Sequence, residues 1–199
     1  MMKKRLACVV ALIFLTGFVF VSCAGMEMKP TEAAFQIPAV KLHSIQPTHY
    51  EGFWHYEKVQ PERGKAPGGG GSSPLCLSFV FEITNPNAFS IQYESSSFFV
   101  YFEDYELRVV NDTNPMWIPS GKTNTKVLFV TLTPFNAFQN FLLRNRDIAA
   151  KKGDKPWEKI EFWWTKIPEM SFPIYLKEGN FTFNADGITK VVPVNMKYP

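Results

Sequence analysis

Residues 75–87, LCLSFVFEITNPN, carry the strongest fold signal in this chain. Large apolar side chains occupy every second position from Leu75 to Ile83, and smaller or polar side chains lie between them. This period of two predicts a β-strand over 75–84 with one face in the core. Asn85-Pro86-Asn87 ends the strand, because proline cannot donate to a β-ladder and asparagine tolerates the left-handed turn conformation.

Similar short runs lie on both sides of this strand, with turn residues between them. The alternation at 157–165 places Ile160, Phe162 and Trp164 on one face of a predicted strand and Trp163 on the other. Many short strands separated by turns are typical of an antiparallel β-sandwich or barrel. The other strand candidates are 37–45, 89–93, 98–102, 106–110, 126–132, 172–176, 180–184 and 189–194.

One segment has the signals of a helix, which we predict at about 134–152. Thr133 suits the N-cap and Pro134 the first helical position, and Lys151-Lys152-Gly153 supplies cations and a glycine for the end. A basic cluster at this end complements the helix dipole and is solvated, or it contacts lipid headgroups or an acidic partner. The cluster comprises Arg144, Arg146, Lys151, Lys152 and Lys155.

The first 22 residues have the pattern of a secretory signal. A basic start at 3–5 precedes an apolar run at 6–20 that is too short and too early for a spanning helix. Ser22-Cys23-Ala24 then resembles the lipobox of bacterial lipoproteins, whose cysteine is lipidated and becomes the new N-terminus. An ordinary signal peptide cut near Ala24 and an uncleaved anchor are the alternatives.

Lipidated Cys23 would tether the protein to a membrane of the bacterial cell envelope without crossing it. Ala24 rather than aspartate after the cysteine resembles lipoproteins of the outer membrane and favours that membrane over the inner one. Residues 23–34 would be the lipidated cysteine and a spacer. One domain would follow at 35–199, with a flexible Gly-rich loop at 61–74.

Charge and composition exclude two classes of protein. The chain has 21 basic and 18 acidic residues, and removing 1–22 takes away three basic residues at 3–5, so 18 of each remain. A neutral chain lacks the excess of Lys and Arg that a nucleic-acid binder needs to neutralise phosphate. A hydrophobic content of 46% and an aromatic content of 16% exclude a wholly disordered chain.

Three blocks of the sequence resemble the late embryogenesis abundant type 2 family, also called the water stress and hypersensitive response (WHy) domain. They are 38–45, 79–91, which contains Asn85-Pro86-Asn87, and 118–123. The resemblance implies a fibronectin/immunoglobulin-like antiparallel β-sandwich with one added helix. It also implies a non-catalytic role under water or desiccation stress. The insertion at 61–74 and the stretch 162–164 have no counterpart in the family pattern.

Aromatic residues are the candidates for an interaction surface. Tyr50, Phe53, Trp54 and Tyr56 lie in a segment without strict alternation. They either fold back to cap one end of the sandwich or form an exposed anchor for a partner. Trp163, on the predicted outer face of its strand, presents the same two alternatives.

The sequence lacks the residue patterns of catalytic and metal-binding sites, which favours a protein that is not an enzyme. His43, His49 and His55 recur every six residues without the accompanying ligands of a metal site, and Glu103, Asp104 and Glu106 fall where a solvated hairpin turn belongs. No nucleophile elbow, phosphate loop or dinucleotide motif is present. Cys76 lies in a strand and is expected to be a buried, inert thiol.

We therefore expect no cofactor, no metal, no small-molecule substrate and no nucleic-acid partner. The expected function is that of a lipid-anchored envelope protein that protects envelope components under water stress. The alternative is an accessory interaction module of an envelope assembly or transport complex, with an envelope protein as its partner.

Overall fold

The computed structural model describes residues 29–58, 62–69 and 71–199. The predicted signal peptide and Cys23 lie outside the described residues. The strands are β1 (Ala39–Tyr50), β2 (Leu75–Thr84), β3 (Ile91–Phe102), β4 (Tyr105–Asp112), β5 (Met116–Ile118), β6 (Thr123–Leu132), β7 (Ile174–Ala185) and β8 (Ile188–Tyr198). The helices are α1 (Pro134–Arg144), α2 (Arg146–Lys152) and α3 (Pro156–Lys166), and a 3-10 turn at Ile167–Glu169 follows α3.

The strands form two antiparallel sheets, which confirms the predicted β-sandwich. One sheet has the order β1-β2-β6, and the other has the order β4-β3-β7-β8 with β5 paired to β3. Their inner faces meet in an aromatic core. The ring of Phe81 on β2 lies 5.8 Å from the ring of Phe98 on β3 and 5.0 Å from that of Phe181 on β7. Edge-on contacts of this kind stabilise the core beyond the area that they bury.

The two ends of the sandwich carry different structures. β1 runs from Ala39, paired with Thr84, to Tyr50, paired with Leu75. The first pair lies beside the 85–87 turn and marks what we call the N-terminal end. The second pair lies beside Glu51, Pro74 and α1, which follows β6 directly, and marks the helical end.

β3 and β7 each cover two predicted strands. The sequence predicted breaks between 93 and 98 and between 176 and 180, where small or polar residues interrupt the apolar pattern. In the structure these residues sit at irregularities in the β3–β7 register, between Tyr93 and Ser95 and between Ser97 and Phe99. A β-bulge absorbs the change of pattern without ending the strand.

The helix predicted at 134–152 begins and ends as expected but is divided. The Asn136 amide donates to Thr133 Oγ1 at 3.2 Å, and Gly153 ends α2 in the left-handed conformation with φ 69°. Asn145 separates α1 from α2. Its side-chain amide accepts from the Glu106 amide at 3.0 Å and donates to the Glu106 carbonyl at 2.8 Å, so it pairs with the edge of β4 like a short piece of strand.

The strand predicted at 157–165 was wrong, because this segment is α3. Its buried side chains include Ile160, Trp163 and Trp164, and Ile167 is buried in the turn that follows. The spacing i, i+3, i+4, i+7 is that of one helix face, and Pro156 occupies the first helical position. Within the part of the chain that is described, no helix is long and apolar enough to span a membrane.

Candidate functional site

Asn85 is the centre of a buried hydrogen-bond cluster at the N-terminal end. Its Nδ2 donates to the carbonyls of Phe89 at 2.8 Å and of Ile118 and Pro119 at 3.1 Å. Its Oδ1 accepts from both the amide and the Nδ2 of Asn87 at 2.9 Å. One side chain therefore joins the turn after β2 to the turn between β5 and β6.

Asn87 extends this cluster to the segment that precedes β1. Its Oδ1 accepts from the Gln36 amide at 2.7 Å, and its Nδ2 donates to the Gln36 carbonyl at 3.0 Å. Ser120 Oγ donates to the Asn87 carbonyl at 2.9 Å. Two of the blocks that carry the family resemblance, 79–91 and 118–123, thus meet at one place with the segment just before the third, and Asn85 and Asn87 hold them together.

The aromatic segment at the helical end folds back onto α3. Phe53 is 3% exposed, and its ring lies 4.7 Å from Trp54 and 6.5 Å from Trp157. Trp54 Nε1 donates to Glu161 Oε1 at 3.1 Å, and the Tyr50 hydroxyl donates to the Trp164 carbonyl at 2.8 Å. The segment caps the sandwich, and Phe53 is too buried to form an interaction surface.

Tyr56 is the most exposed member of this group. It is an exposed side chain whose hydroxyl donates to Glu51 Oε2 at 2.9 Å. Of the four aromatic residues that were candidates for an interaction surface, Tyr50 and Tyr56 keep substantial exposure, whereas Trp54 is half-buried.

Trp163 is 0% exposed, so its assignment to a possible interaction surface was wrong. Its ring lies 5.8 Å from Phe102 and 5.3 Å from Tyr105, and its Nε1 donates to Glu103 Oε2 at 2.9 Å. The error follows from the wrong period: on a strand Trp163 would point away from Trp164, whereas on α3 both side chains face the core.

The acidic β3–β4 turn and the basic helices pair with each other. Asp104 lies 2.5 Å from Lys152, and Glu106 lies 2.7 Å from Arg144. The hydrogen bond from Lys152 lowers the pKa of Asp104, although the carboxyl is more than half exposed. Two features that the sequence analysis treated separately therefore form one interface.

The same turn holds α3 through a partly buried pair. Glu103 lies 2.6 Å from Lys159, and both side chains are mostly buried. The neighbouring Tyr105 hydroxyl donates to Asp154. Burial is the main cause that raises the pKa of Tyr105, and the hydrogen bond to Asp154 raises it further. These contacts fix the position of the helices against the sheet.

α1 exposes an apolar face to solvent. Phe135 and Leu142 are each 46% exposed, and Leu143 is 82% exposed. With Gln139 they lie on one side of α1, which we call the outer face of α1. Arg146 is exposed next to it. An exposed apolar patch on a helix is typical of a contact surface.

The histidines lie apart from one another. His43 Nδ1 is 3.1 Å from Glu82, His49 Nε2 is 3.7 Å from Glu51, and His55 packs edge-on against the ring of its neighbour in the 51–58 loop. Among the described residues, no group of three or more His, Cys, Asp or Glu side chains could hold a metal ion.

Cys76 is half-buried rather than buried. It lies on the outer side of β2, and its Sγ is 3.4 Å from Thr131 Oγ1. The thiol therefore has a neighbour on β6, but it is not sealed within the core.

Comparisons with known proteins give only distant structural likeness. No protein family matches the sequence, and no curated protein does. A protein of Archaeoglobus fulgidus is 8% identical, with 79% of this chain and 94% of that chain covered and a TM-score of 0.44. The ApaA protein of Bordetella pertussis is 12% identical, with coverages of 81% and 90% and a TM-score of 0.39.

A protein described as late embryogenesis abundant is also similar. It is 12% identical, with 98% of this chain and 85% of that chain covered and a TM-score of 0.33.

Proposed function

We propose that the protein is a non-catalytic, lipid-anchored cell-envelope protein that protects envelope components when water is lost. Cys23 supplies the lipid anchor, and the domain at 35–199 acts through its surface. The resemblance of the 85–87 block and its neighbours to the late embryogenesis abundant type 2 family supports this class of function.

The observation that carries the proposal is a hydrogen-bonding surface on the outside of β3 and β7, whose cross-strand pairs are uncharged although the half-buried Glu94 lies between two of them. Three successive cross-strand pairs present only amides and hydroxyls there, beside core residues that point inward. We call this surface the amide–hydroxyl face; its pairs are Gln92 with Asn184, Ser95 with Thr182, and Ser97 with Asn180.

Such a face suits protection because its groups both donate and accept hydrogen bonds without charge. When bulk water is removed, they can pair with lipid headgroups or with protein surfaces that would otherwise lose their hydration. Charged groups would lose more by the same transfer, because an unpaired ion is costly to desolvate.

A drying and freeze–thaw assay tests the proposal directly. The full-length protein, liposomes and a labile enzyme are dried or frozen together, and vesicle leakage and enzyme activity are compared with an equal mass of an inert globular protein. We expect protection well above that of the inert protein. Protection equal to it would refute the proposed function.

Matched variants test whether the amide–hydroxyl face is responsible. Gln92→Leu combined with Thr182→Val removes hydrogen-bonding groups from this face. Gln46→Leu combined with Thr125→Val makes the same chemical changes on the other sheet. We expect the first variant to lose at least half of the protection and the second to keep it, with both melting as the unmodified protein does.

The anchor has its own test. Cys23→Ala should release the protein from the membrane fraction into the soluble fraction. Retention of this variant in the membrane would contradict the lipoprotein assignment, and it would leave the assay of the amide–hydroxyl face unaffected.

The outer face of α1 favours a second candidate function, an accessory interaction module of an envelope assembly or transport complex. Leu143, a member of this apolar patch, is 82% exposed. Leu143→Asp should abolish recovery of a partner cross-linked in intact envelopes and should leave thermal unfolding unchanged. Gln139→Asp, which adds the same charge to the same face without removing an apolar group, is the control.

A further inference from the structure

A groove lies between the edge strand β4 and the C-terminal half of α1. Its volume is about 320 Å³, which is near the lower end of the range of small-molecule sites, and it is open on one side. The groove adjoins the amide–hydroxyl face, because its Asn111 pairs with Ser97, and it lies on a different side of α1 from the outer face. Its lining includes Phe99, Glu106, Arg108, Val109, Asn111 and Arg144.

The floor of the groove is apolar. Phe99 on β3 is paired with Val109 on β4, and both side chains are on the outer side of the sheet. Val109 is exposed and Phe99 is half-buried. Together they offer a flat apolar surface on which a ring of similar width can lie.

Arg144 is held above this floor with part of its guanidinium unused. Its Nη1 lies 2.7 Å from Glu106 Oε1, and its Cζ lies 5.9 Å from the centroid of the Phe99 ring. Glu106 is mostly buried, so one side of the guanidinium is fixed. Among the described residues the guanidinium has no second carboxylate partner, so its remaining N–H groups can bind a second anion.

Arg108 supplies a second cation on the rim. No carboxylate lies within ion-pair distance of it in the described ranges, and it is exposed. Counting Arg108, Arg144 and Glu106, the groove has two positive charges and one negative charge. Its excess positive charge selects for an anionic ligand.

Amide groups complete the lining. Asn140 donates its Nδ2 to the Leu107 carbonyl at 2.8 Å and to the Asn136 carbonyl at 3.0 Å, so its Oδ1 is left as an acceptor. The exposed Asn111 adds one more amide. Such groups match a ligand that has hydroxyl donors in addition to its negative charge.

We propose that this groove binds an acidic saccharide, a sugar chain whose rings carry carboxylates. The carboxylate pairs with Arg144 and Arg108, a ring face lies on Phe99 and Val109, and hydroxyls donate to Asn140. The open side of the groove lets a longer chain continue beyond the bound ring. An aromatic ring, planar cations and amides in one shallow groove supply each group that such a ligand requires.

Titration of the purified full-length chain with tetragalacturonate, with the heat of binding measured by calorimetry, tests this inference. Galactotetraose, a neutral chain of the same length, is the comparison ligand. We expect binding of the acidic chain and at least tenfold weaker binding of the neutral one. Equal binding of both chains, or no binding of the acidic one, would overturn the proposal.

Variants locate the binding. Arg144→Ala and Arg108→Ala should each weaken binding of tetragalacturonate about tenfold, in line with one lost charge-assisted hydrogen bond. Arg146→Ala removes a cation from the start of α2, outside the groove, and should leave the affinity unchanged. Equal losses in all three variants would indicate non-specific attraction of charge and would overturn the assignment to the groove.

A conservative variant tests whether the shape of the guanidinium matters. Arg144→Lys keeps the charge but not the planar fork. We expect it to restore less than half of the binding that Arg144→Ala loses and to melt at the same temperature as the unmodified chain.

Vesicles containing phosphatidylglycerol are the competing anionic surface. Stronger Arg144-dependent binding to these vesicles than to tetragalacturonate would assign the groove to lipid headgroups and would overturn the saccharide proposal.

Discussion

Replacing Asn85 by alanine tests whether the N-terminal end of the sandwich depends on one side chain. The side chain is fully buried and takes part in five hydrogen bonds, three as donor and two as acceptor. Two hydrogens are shared among the three donated bonds, so we count about four full bonds. At about 1 kcal/mol of net stability per bond, the expected loss is about 4 kcal/mol.

That loss is large against the total stability of a domain, which is about 5–15 kcal/mol. For a chain of this size each kcal/mol lowers the melting temperature by about 2–4 °C, so we expect a decrease of about 12 °C. Thermal unfolding followed by circular dichroism, together with urea unfolding, measures both quantities.

Asn124→Ala is the matched control, because Asn124 makes a single exposed bond, from its Nδ2 to the Trp117 carbonyl at 2.8 Å. Its loss should cost no more than about 1 kcal/mol. If Asn85→Ala destabilises the protein no more than this control does, the cluster around Asn85 does not hold the three segments together, and the reasoning is refuted.

Two further predictions concern a buried ion pair and a crowded glycine. Asp112 lies 2.7 Å from Lys126, and although burial opposes its charge, hydrogen bonds from Lys126 and a neighbouring tyrosine lower its pKa. Because the pKa of Asp112 is lower in the folded protein, the pair stabilises the protein above pH ~4 and loses its effect as the pH falls further. Asp112→Asn should therefore lower the free energy of unfolding in urea by about 3 kcal/mol at pH 7 and by less at pH 3. In Gly179→Ala the new Cβ would lie 1.9 Å from the Ser97 carbonyl oxygen, so the free energy of unfolding in urea should fall by at least about 2 kcal/mol. In Gly52→Ala the new Cβ has no neighbour closer than 4.0 Å, and the free energy of unfolding should change by less than about 0.5 kcal/mol. A pH-independent loss in the first variant, or equal stability of the two glycine variants, would contradict these accounts.

The sandwich could be predicted because its strongest signals are local. The alternation from Leu75 to Ile83 and the turn at 85–87 need only neighbouring residues, and the structure has the predicted strand over the same residues. The cap at Thr133 and the end at Gly153 are local signals as well. Local chemistry of this kind determines where an element begins and ends even before its partners are known.

α3 could not be distinguished from a strand by the same reasoning. Ile160, Phe162 and Trp164 alternate as in a strand, while Ile160, Trp163 and Trp164 also fit one face of a helix. A short apolar run satisfies both periods, and tertiary packing decides between them. Extending the pattern to Ile167 and giving weight to Pro156 at the start would have favoured the helix.

The contacts between the acidic turn and the helices lie beyond sequence reasoning for a different reason. Glu106 and Arg144 are 38 residues apart, and Trp163 and Glu103 are 60 residues apart. No spacing rule connects positions at such separations. The pairing follows from the path of α1, α2 and α3 across the helical end, which depends on how the whole core packs.

The position of the anchor constrains where the exposed surfaces can act. β1 spans 12 residues, or about 40 Å, between the N-terminal end and the helical end. If Cys23 is lipidated, the chain reaches the sandwich at the N-terminal end, and the outer face of α1 lies at the far end from that attachment. With β1 perpendicular to the membrane, Leu143 would lie at the end of the domain that is farther from the lipid. The amide–hydroxyl face and the groove beside β4 lie along the flanks, so protection at the lipid surface requires the domain to lie on its side. If Cys23 is lipidated, the length of the segment between it and the sandwich would decide whether the domain can adopt both orientations.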